Sequence, residues 1–295
     1  MGRLRAISVG DCCIDWYSGE GERAYVGGNA ANTAVYLARQ GVDTWFMGIV
    51  GDDAAGEYVR SALAEEGVHL DYLSVRKGKT GICEIRVQGG ERLFVSEDLG
   101  VSSPFVLSEE DLEAIAGFDL AHIPGFFSWG GSARVNQPAL GDELGSLAGK
   151  VKLSVDFSEF TEGEDYFKKL GRFVDFSFFS RPGLSTEEID KLIRQFLRFT
   201  HGLVIVTCGE RGSYAAAKDG VIHYCPAEDV DVADTLGAGD SFIGGFLASY
   251  LQKGDVAQAL RSGTRVAAGV IQQEGGWSNC IIERFYRSIK FTRTN

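Results

Sequence analysis

Short apolar segments rich in β-branched and aromatic residues alternate along this chain with amphipathic segments of helical period. Such alternation indicates βαβ units, which build a mainly parallel sheet flanked by helices. The predicted strands are Leu4–Val9, Thr44–Val50, Asp119–Ile123, Val151–Phe157, Val174–Phe179 and Leu203–Cys208. The predicted helices are Asp53–Glu66, Ser108–Ala116, Ser132–Leu147 and Ser185–Thr200. We therefore predict an α/β fold in which residues 1–295 form a single domain.

Local signals support the positions of several helices. Ser108 and Ser185 each stand three residues before an acidic residue, the spacing of a capping box. Near the C-terminus, Phe242–Leu251 and Val256–Ile271 each repeat apolar residues at three- and four-residue spacing. We expect both segments to be helices that bury one face.

Three short β-like stretches interrupt the alternation. They are Ile14–Val26, Gly81–Val87 and Arg92–Glu97, with Gly89-Gly90 as a hairpin turn between the last two. We predict that these discontinuous segments, at about 14–26 and 80–98, form a small separate sheet, here called the lid. A lid over the mouth of an α/β sheet excludes water from a reaction.

Charge and cysteine usage exclude several classes of function. The chain carries 41 acidic and 29 basic side chains, a formal net charge of −12. This charge repels nucleic-acid phosphates and anionic membranes, so we expect neither as a partner. The six cysteines form no C-x-x-C pair, no secretory leader is recognised, and no apolar run approaches 18 residues. We expect a cytoplasmic protein with free thiols.

The segment Asp234–Asp240 places small residues at the start of a predicted helix. The free N–H groups and the positive end of the helix dipole can then face an anion without obstruction. Asp240, in the same turn, could accept a proton from a hydroxyl that attacks that anion. The alternative is that Asp240 only complements the helix dipole.

A second glycine turn, Gly27-Gly28, leads into a helix that begins Asn29-Ala30-Ala31-Asn32. Asn29 and Asn32 share a helix face, and their amides suit sugar hydroxyls, as does the carboxylate of Asp11 after the first strand. All three are predicted at the carboxyl end of the sheet, where open α/β folds bind ligands. The alternative makes Asn29 an N-cap and Asp11 a turn residue.

Competing motifs are weak or absent. Thr207–Ser213 follows a strand and contains two glycines that could approach a phosphate, but such turns are common. No G-x-G-x-x-G follows the first strand, which disfavours a nicotinamide oxidoreductase. Gly125–Ser132 has the glycine spacing of a P-loop but carries Gly131 where the lysine is required.

Taken together, these segments resemble the ribokinase-like, or PfkB, carbohydrate kinases. Asp234–Asp240 is similar to the second family signature, and Gly27–Gly41 with Gly48–Gly56 is similar to the first. The resemblance implies a mainly parallel sheet with a β-lid that often forms a dimer contact. It also implies ATP and Mg²⁺ as co-substrate and metal, and a small-molecule sugar as the acceptor.

The resemblance assigns roles residue by residue. Asp240 is implied as the base that deprotonates the sugar hydroxyl, beside an anion hole formed by Gly237, Ala238 and Gly239. The residues implied to hold the sugar are Asp11, Gly28, Asn29 and Asn32, with Asp15 reaching in from the lid. The residues implied to line the nucleotide are Thr207, Gly209, Gly212 and Thr235.

One departure from the family concerns the metal. Members carry Asn-x-x-Glu at a strand-to-helix junction that organises Mg²⁺, whereas this chain has neither residue in the stretch 180–185. Asp156, Glu187 and Glu188 are the candidates to replace them. Asp234 resembles the position where some members bind K⁺.

Within the family, Gly10–Asp15, Phe94–Asp98 and Glu274–Trp277 are similar to the fructoselysine 6-kinases. This implies transfer to the 6-hydroxyl of a fructosamine, whose cationic amine would suit acidic Asp15, Glu97 and Asp98. A plain ketose or ribose, and then a nucleoside, are the next alternatives. A nonenzymatic sugar-binding protein on the same scaffold is a further alternative, although such a protein has no use for Asp240 as a base.

Overall fold

The α/β prediction is confirmed by a computed structural model that describes residues 3–18, 22–88, 91–103, 105–125, 139–158 and 167–277. The strands are β1 Arg5–Val9, β2 Cys13–Ser18, β3 Arg23–Gly27, β4 Asp43–Gly51, β5 His69–Arg76, β6 Gly81–Gln88, β7 Glu91–Asp98, β8 Leu120–Pro124, β9 Lys152–Asp156, β10 Phe176–Ser180, β11 Leu203–Thr207, β12 Ser213–Ala216 and β13 Ile222–Cys225. The helices are α1 Asn29–Arg39, α2 Ala54–Glu65, α3 Glu109–Ile115, α4 Ala139–Leu147, α5 Thr186–Phe196, α6 Ala238–Lys253 and α7 Val256–Val270.

A nine-stranded sheet has the order β13-β12-β11-β10-β9-β8-β1-β4-β5. Neighbouring strands from β11 to β5 in this order pair in parallel, whereas β12 and β13 add antiparallel pairs at one edge. The six predicted strands correspond to β1, β4, β8, β9, β10 and β11. The sequence pattern missed β5, β12 and β13, because strands near a sheet edge expose side chains such as Val75 and Tyr224 and lose clear periodicity.

The second predicted sheet is also present, with four strands in the order β3-β2-β6-β7. The stretch Ile14–Val26, predicted as one piece, contains the two antiparallel strands β2 and β3. Strand β7 lies at the edge of this sheet and exposes Leu93, Phe94 and Val95. A dimer contact through the lid remains a prediction.

The helix starts agree with the capping signals. Ser108 and Ser185 both form complete capping boxes, with Asp111 and Glu188 respectively. Some predictions lie wholly or partly outside the described residues: the Gly89-Gly90 turn, residues 19–21 of the Ile14–Val26 stretch, the Gly125–Ser132 segment beyond Gly125, and the predicted helix before Ala139. The predicted single domain of residues 1–295 also includes residues 278–295, which are not described.

Aromatic packing supports the sheet beneath the carboxyl ends of β9 and β10. Phe157, Phe167, Phe179 and Phe196 are fully buried, and their ring centroids lie 4.6 to 5.2 Å apart in the contacting pairs. Such contacts between aromatic rings stabilise a core by more than the burial of apolar area alone provides.

Among the helices in the described ranges, none combines the length and apolar character that a membrane span requires.

Candidate active site

Polar side chains singled out in the sequence meet where the parallel strands end. Asp11 follows β1, and Asp156 is the last residue of β9. Asn29 opens α1, and Asp240 lies in the first turn of α6. This edge of an open α/β sheet is where ligands bind in such folds.

The carboxylate of Asp240 is held by an amide from the neighbouring helix. Nδ2 of Asn32 donates a hydrogen bond to Oδ2 of Asp240 over 2.7 Å. One turn further along each helix, Gly244 faces Tyr36, and a Cβ added at Gly244 would lie 2.6 Å from Cβ of Tyr36. The glycine therefore allows α1 and α6 to approach closely enough for this bond.

Electrostatics favour the protonated form of Asp240. Burial among the surrounding protein atoms raises the pKa of Asp240 well above its usual range, although solvent still reaches part of the residue. The hydrogen bond from Asn32 opposes this effect, and the negative charges of Asp156, Asp11 and Asp15 add to it. A carboxylate with a raised pKa is a stronger base when it is ionised.

Asp11 caps helix α1 from the loop after β1. The N-cap residue Gly28 has no side-chain acceptor, and the backbone N–H groups of Asn29 and Ala30 donate to Asp11 over 2.9 and 3.1 Å. Burial raises the pKa of Asp11 to about 6 against the effect of these bonds. Asn29 is thus not the N-cap, and Asp11 organises the start of α1 at the site.

Gly28 is required by its surroundings. Its φ of 104° is in a region that L side chains rarely adopt, and an added Cβ would lie 2.7 Å from Cα of Cys12 and 2.8 Å from the carbonyl oxygen of Asp11. Gly28 therefore lets the chain turn into α1 directly against the loop after β1.

Asn29 reaches across the sheet edge to Asp156. Its Nδ2 donates to Oδ2 of Asp156 over 3.1 Å, and the backbone N–H of Ser158 donates to Oδ1 of Asp156 over 2.9 Å. Oδ1 of Asn29 is buried and has no hydrogen-bond partner within the described part of the chain. A buried acceptor of this kind carries a desolvation cost that a ligand donor would relieve.

The lid turns acidic side chains toward the site. In the strand register Tyr25 lies opposite Asp15, Asp15 opposite Cys83 and Cys83 opposite Glu97, so the four share one face. Asp15 is buried, and Glu97 is half-buried and raises the pKa of Asp11.

Two neighbours define the limits of this acidic face. A Cβ at Gly27 would lie 1.8 Å from Oδ2 of Asp15, so Gly27 makes room for that carboxylate. Asp98, which we expected to lie with Glu97 at the site, does not share this face. It lies opposite Ile82 on the other face, and its Oδ1 accepts from the N–H of Gly100 over 2.9 Å.

Not all three residues of the predicted anion hole offer a free backbone N–H group. Gly237 is the N-cap of α6 with a φ of 73°, and the N–H of Ala238 donates back to the carbonyl of Thr235 over 3.2 Å. Gly239 is exposed, and an added Cβ there would meet no atom within 4 Å. The N–H groups of Gly239 and Asp240 belong to the first turn, where helices leave their donors without intrahelical partners.

Asp234 joins the lid to the loops beside α6. Its Oδ2 accepts from the hydroxyl of Tyr17 over 2.6 Å and from the N–H of Gly275 over 3.0 Å, and its Oδ1 accepts from the N–H of Leu236 over 2.9 Å. Tyr25 of β3 also donates to Glu274 over 3.1 Å. No motif or periodicity around Tyr17 predicted that it would anchor the lid in this way.

The four residues predicted to line the nucleotide fall into two pairs with different surroundings. The Thr207 hydroxyl donates to the carbonyl of Phe179 over 3.3 Å, and a Cβ at Gly212 would lie 2.1 Å from the carbonyl of Cys225. Both residues therefore have structural roles in the edge of the sheet. The other two differ: Gly209 has a φ of 58°, and an added Cβ there would lie 3.8 Å from Cβ of Pro182, whereas Thr235 is exposed.

The metal candidates differ in their availability. Glu188 is used in the capping box with Ser185, which lowers its pKa, and Glu187 is exposed on α5. Asp156 is the candidate that lies with the other site residues. Across the described ranges, no group of three or more histidine, cysteine, aspartate or glutamate side chains forms a metal-binding cluster.

A buried arginine stands where the family motif is missing. Arg181 follows β10 and donates from Nη1 to the carbonyls of Ser158 over 2.9 Å and Ser180 over 2.7 Å. Ser158 has a φ of 55°, and its N–H holds Asp156. Arg181 was overlooked because a charged residue after a strand normally indicates a solvated turn.

Trp277, in the loop after α7, also escaped assignment to the site. Its Nε1 donates to Oδ1 of Asn32 over 2.7 Å, and both side chains are buried. The only available signal was the position of Trp277 in the short Glu274–Trp277 stretch.

Comparison with known proteins gives the family of the chain. The model described as "pfkB family carbohydrate kinase" matches residues 5–139 and 175–283. Fructosamine kinase FrlD of Bacillus subtilis is 35% identical over 269 residues, which cover 90% of each chain. Fructoselysine 6-kinase of Escherichia coli is 35% identical over 271 residues, which cover 92% of this chain and 98% of that relative.

Solved structures share the fold at lower identity. Ribokinase of Arabidopsis thaliana complexed with ribose and ATP has a TM-score of 0.77 at 21% identity, covering 93% of this chain and 94% of that one. Adenosine kinase of Sinorhizobium meliloti has a TM-score of 0.79 at 21% identity, covering 98% and 100%. With the family model and the two relatives, these findings show that this chain belongs to the pfkB family of carbohydrate kinases, enzymes that transfer a phosphoryl group to an alcohol.

Proposed function

We propose that this carbohydrate kinase transfers the γ-phosphoryl group of ATP to the 6-hydroxyl of a fructosamine, with fructoselysine as the first candidate. The observation that carries the catalytic part is Asp240, held by Asn32 in the first turn of α6. The substrate is supported by the two relatives named for fructosamine and fructoselysine, each similar along at least nine-tenths of both chains.

In this proposal Asp240 is the general base. The substrate hydroxyl gives its proton to the Asp240 carboxylate while its oxygen forms a bond to the γ-phosphorus, and the bond from that phosphorus to the bridging oxygen of ADP breaks. N–H groups at the start of α6 stabilise the charge on the transferring group. Such catalysis depends mainly on positioning and charge stabilisation.

Asn29 and Asp11 are suited to bind the sugar. The buried Oδ1 of Asn29 lacks a hydrogen-bond partner among the described residues, and a sugar hydroxyl would supply the missing donor. Asp11 has both oxygens on N–H groups of α1, but each carboxylate oxygen can accept a second hydrogen bond. Gly28 lets the chain enter α1 directly against the loop that carries Asp11.

Asp15 and Glu97 are suited to the cationic amine that distinguishes a fructosamine from a plain ketose. Both face the site from the lid, on either side of Cys83. Their charges also raise the pKa values of Asp240 and Asp11 respectively, which indicates that both carboxylates lie near the site. An ammonium between them would relieve this repulsion.

ATP and its metal have fewer assigned residues. ATP is bound in solved structures of the same fold, and one of them, a putative ribokinase II of Escherichia coli, also contains Mg²⁺. Thr207, Gly209, Gly212 and Thr235 are the residues proposed to line the nucleotide. Asp156 offers the carboxylate oxygen that Mg²⁺ prefers, and Mg²⁺ keeps much of its own hydration. The metal would neutralise phosphate charge.

K⁺ at Asp234 has weaker support. The two oxygens of Asp234 already accept from Tyr17, Gly275 and Leu236, so a cation there would share a carboxylate that also fixes the lid. A requirement for K⁺ would appear as turnover that depends on its concentration.

The test is ADP release with ATP and Mg²⁺ on fructoselysine, a second fructosamine, fructose, ribose and a nucleoside, for the wild type and Asp240→Asn. We expect preferred turnover of fructosamines and a loss of about 10²–10⁴ in kcat for Asp240→Asn with substrate binding retained. Wild-type turnover by Asp240→Asn would refute the role of Asp240 as the general base. Sugar binding without turnover of any acceptor would favour the nonenzymatic alternative.

The amine contact is tested with Glu97→Gln and its neighbour Asp98→Asn, which lies on the other face of the lid. We expect Glu97→Gln to raise KM for fructoselysine about tenfold, because a charge-assisted contact is lost, and to leave KM for fructose unchanged. Asp98→Asn should change neither value. Equal effects on both sugars would refute recognition of the amine at Glu97.

A further inference from the structure

The side chain of Asn32 can be oriented in two ways, and one neighbour selects between them. Its carbonyl oxygen and its amide nitrogen have similar shapes, so hydrogen-bond partners decide which atom faces which group. The indole Nε1–H of Trp277 is a donor only, and it lies 2.7 Å from Oδ1 of Asn32. Oδ1 must therefore face Trp277, which leaves Nδ2 to face Asp240 at 2.7 Å.

Trp277 is itself held against one face of α1. Asn32, Tyr36 and Arg39 are four and three residues apart and so share that face. The hydroxyl of Tyr36 donates to the carbonyl of Gly276, and Nη2 of Arg39 donates to the carbonyl of Trp277 over 3.1 Å. The indole thus approaches Asn32 from a backbone fixed at two points.

Arg39 is in turn fixed by a bidentate pair with Glu66 at the end of α2, with N–O distances of 2.6 and 2.7 Å. Bidentate pairs of this kind add geometric specificity. The chain of contacts runs from α2 through Arg39 and Trp277 to Asn32. It ends on the carboxylate of Asp240.

We infer that Trp277 is a positioning residue that orients the amide of Asn32 so that it donates to the base Asp240. The inference rests on the proposed function, since it takes Asp240 as the general base. The donated hydrogen bond stabilises the ionised carboxylate, which is the form that accepts a proton. Without Trp277 the amide can rotate, and Oδ1 facing Asp240 would favour the protonated, inactive form.

The test is the pH dependence of kcat for Trp277→Phe, which keeps an aromatic ring and removes the N–H donor. Because Asp240 must be ionised to act as the base, kcat falls as the pH falls; we call this part of the profile the acid limb. A weaker hydrogen bond to Asp240 moves the acid limb to higher pH. We expect kcat at the acidic end to fall about tenfold or more, since a hydrogen bond to a charged group is worth about 1.5–3 kcal/mol. At high pH kcat should recover, with KM values within about twofold of the wild type.

Three further variants make the result specific. Trp45→Phe removes an indole that donates to Asp71 over 3.2 Å, away from the site, and should leave the profile unchanged. Asn32→Ala should move the acid limb in the same direction as Trp277→Phe. In the Asn32→Ala background, Trp277→Phe should have no further effect, because the group it orients is gone.

An unchanged acid limb in Trp277→Phe would overturn the inference. A loss that is equal at all pH values, or that adds to that of Asn32→Ala, would also overturn it by showing a purely structural role. Should Trp277→Phe fail to fold, an unmoved limb in Asn32→Ala alone would overturn it. Asp240→Asn separates the two claims: if it is inactive while the limb stays unmoved, only the positioning role fails, whereas wild-type turnover removes both.

Discussion

His122 makes the stability of this protein sensitive to pH in a window that can be calculated. It lies within β8, fully buried, with Nδ1 2.9 Å from Oγ of Ser154 and with Nε2 lacking a hydrogen-bond partner in the described ranges. Burial lowers the pKa of His122 from 6.5 to about 3. The folded chain therefore holds this ring neutral where the unfolded chain would protonate it.

The size of the effect follows from linkage. A folded pKa below the unfolded value means that stability is present above pH 6.5 and is lost as the pH falls toward 3. Each pH unit well inside this window costs about 1.4 kcal/mol, so the free energy of unfolding falls by about 2 kcal/mol between pH 7.5 and pH 5 because of His122 alone. Asp11, with its folded pKa raised to about 6, changes stability in the opposite sense.

The assay is urea denaturation of the wild type and His122→Gln at several pH values from 7.5 to 5. The variant removes the titrating ring but keeps Asp11 and the other carboxylates, so the difference between the two chains isolates His122. We expect that difference to change by about 2 kcal/mol in favour of the variant as the pH falls to 5. His201→Gln, which removes an exposed ring, controls for the loss of an imidazole as such. If His122→Gln kept the pH dependence of the wild type, His122 would not be its source.

Two further predictions concern the active site. Asp156→Asn removes a negative charge that raises the pKa of Asp240, so Asp240 should titrate at lower pH when it is followed by NMR without Mg²⁺, whereas the half-exposed Asp190→Asn should not change that titration; a shift to higher pH would contradict the sign. Gly28→Ala should lower the free energy of unfolding by about 1–3 kcal/mol and raise KM for the sugar, measured by denaturation and kinetics. Gly41→Ala, also at positive φ but in open space, should leave KM unchanged, and equal KM effects would refute the clash with Cys12.

Most of the central sheet and of the candidate site could be predicted because local sequence patterns indicate both. Apolar periodicity reports which segments are strands or helices, and glycine turns before Asn29 and Asp240 mark two helix starts at the same edge of the sheet. Edge strands such as β13 escaped prediction because their side chains are partly exposed. On the lid, Glu97 was predicted on the acidic face correctly, whereas Asp98 was not. The two residues are adjacent in sequence, but the strand register places them on opposite faces.

The α/β architecture, the residue types at the carboxyl edge of the sheet and the resemblance to a kinase family all follow from local sequence patterns. Which of those residues are in contact depends on how distant segments of the chain pack together. Trp277 and Asn32 are 245 positions apart, and Tyr17 and Asp234 are 217 apart, yet each pair shares a hydrogen bond. Local periodicity carries no information on such pairs, because their distances are set by the packing of whole helices and sheets against one another.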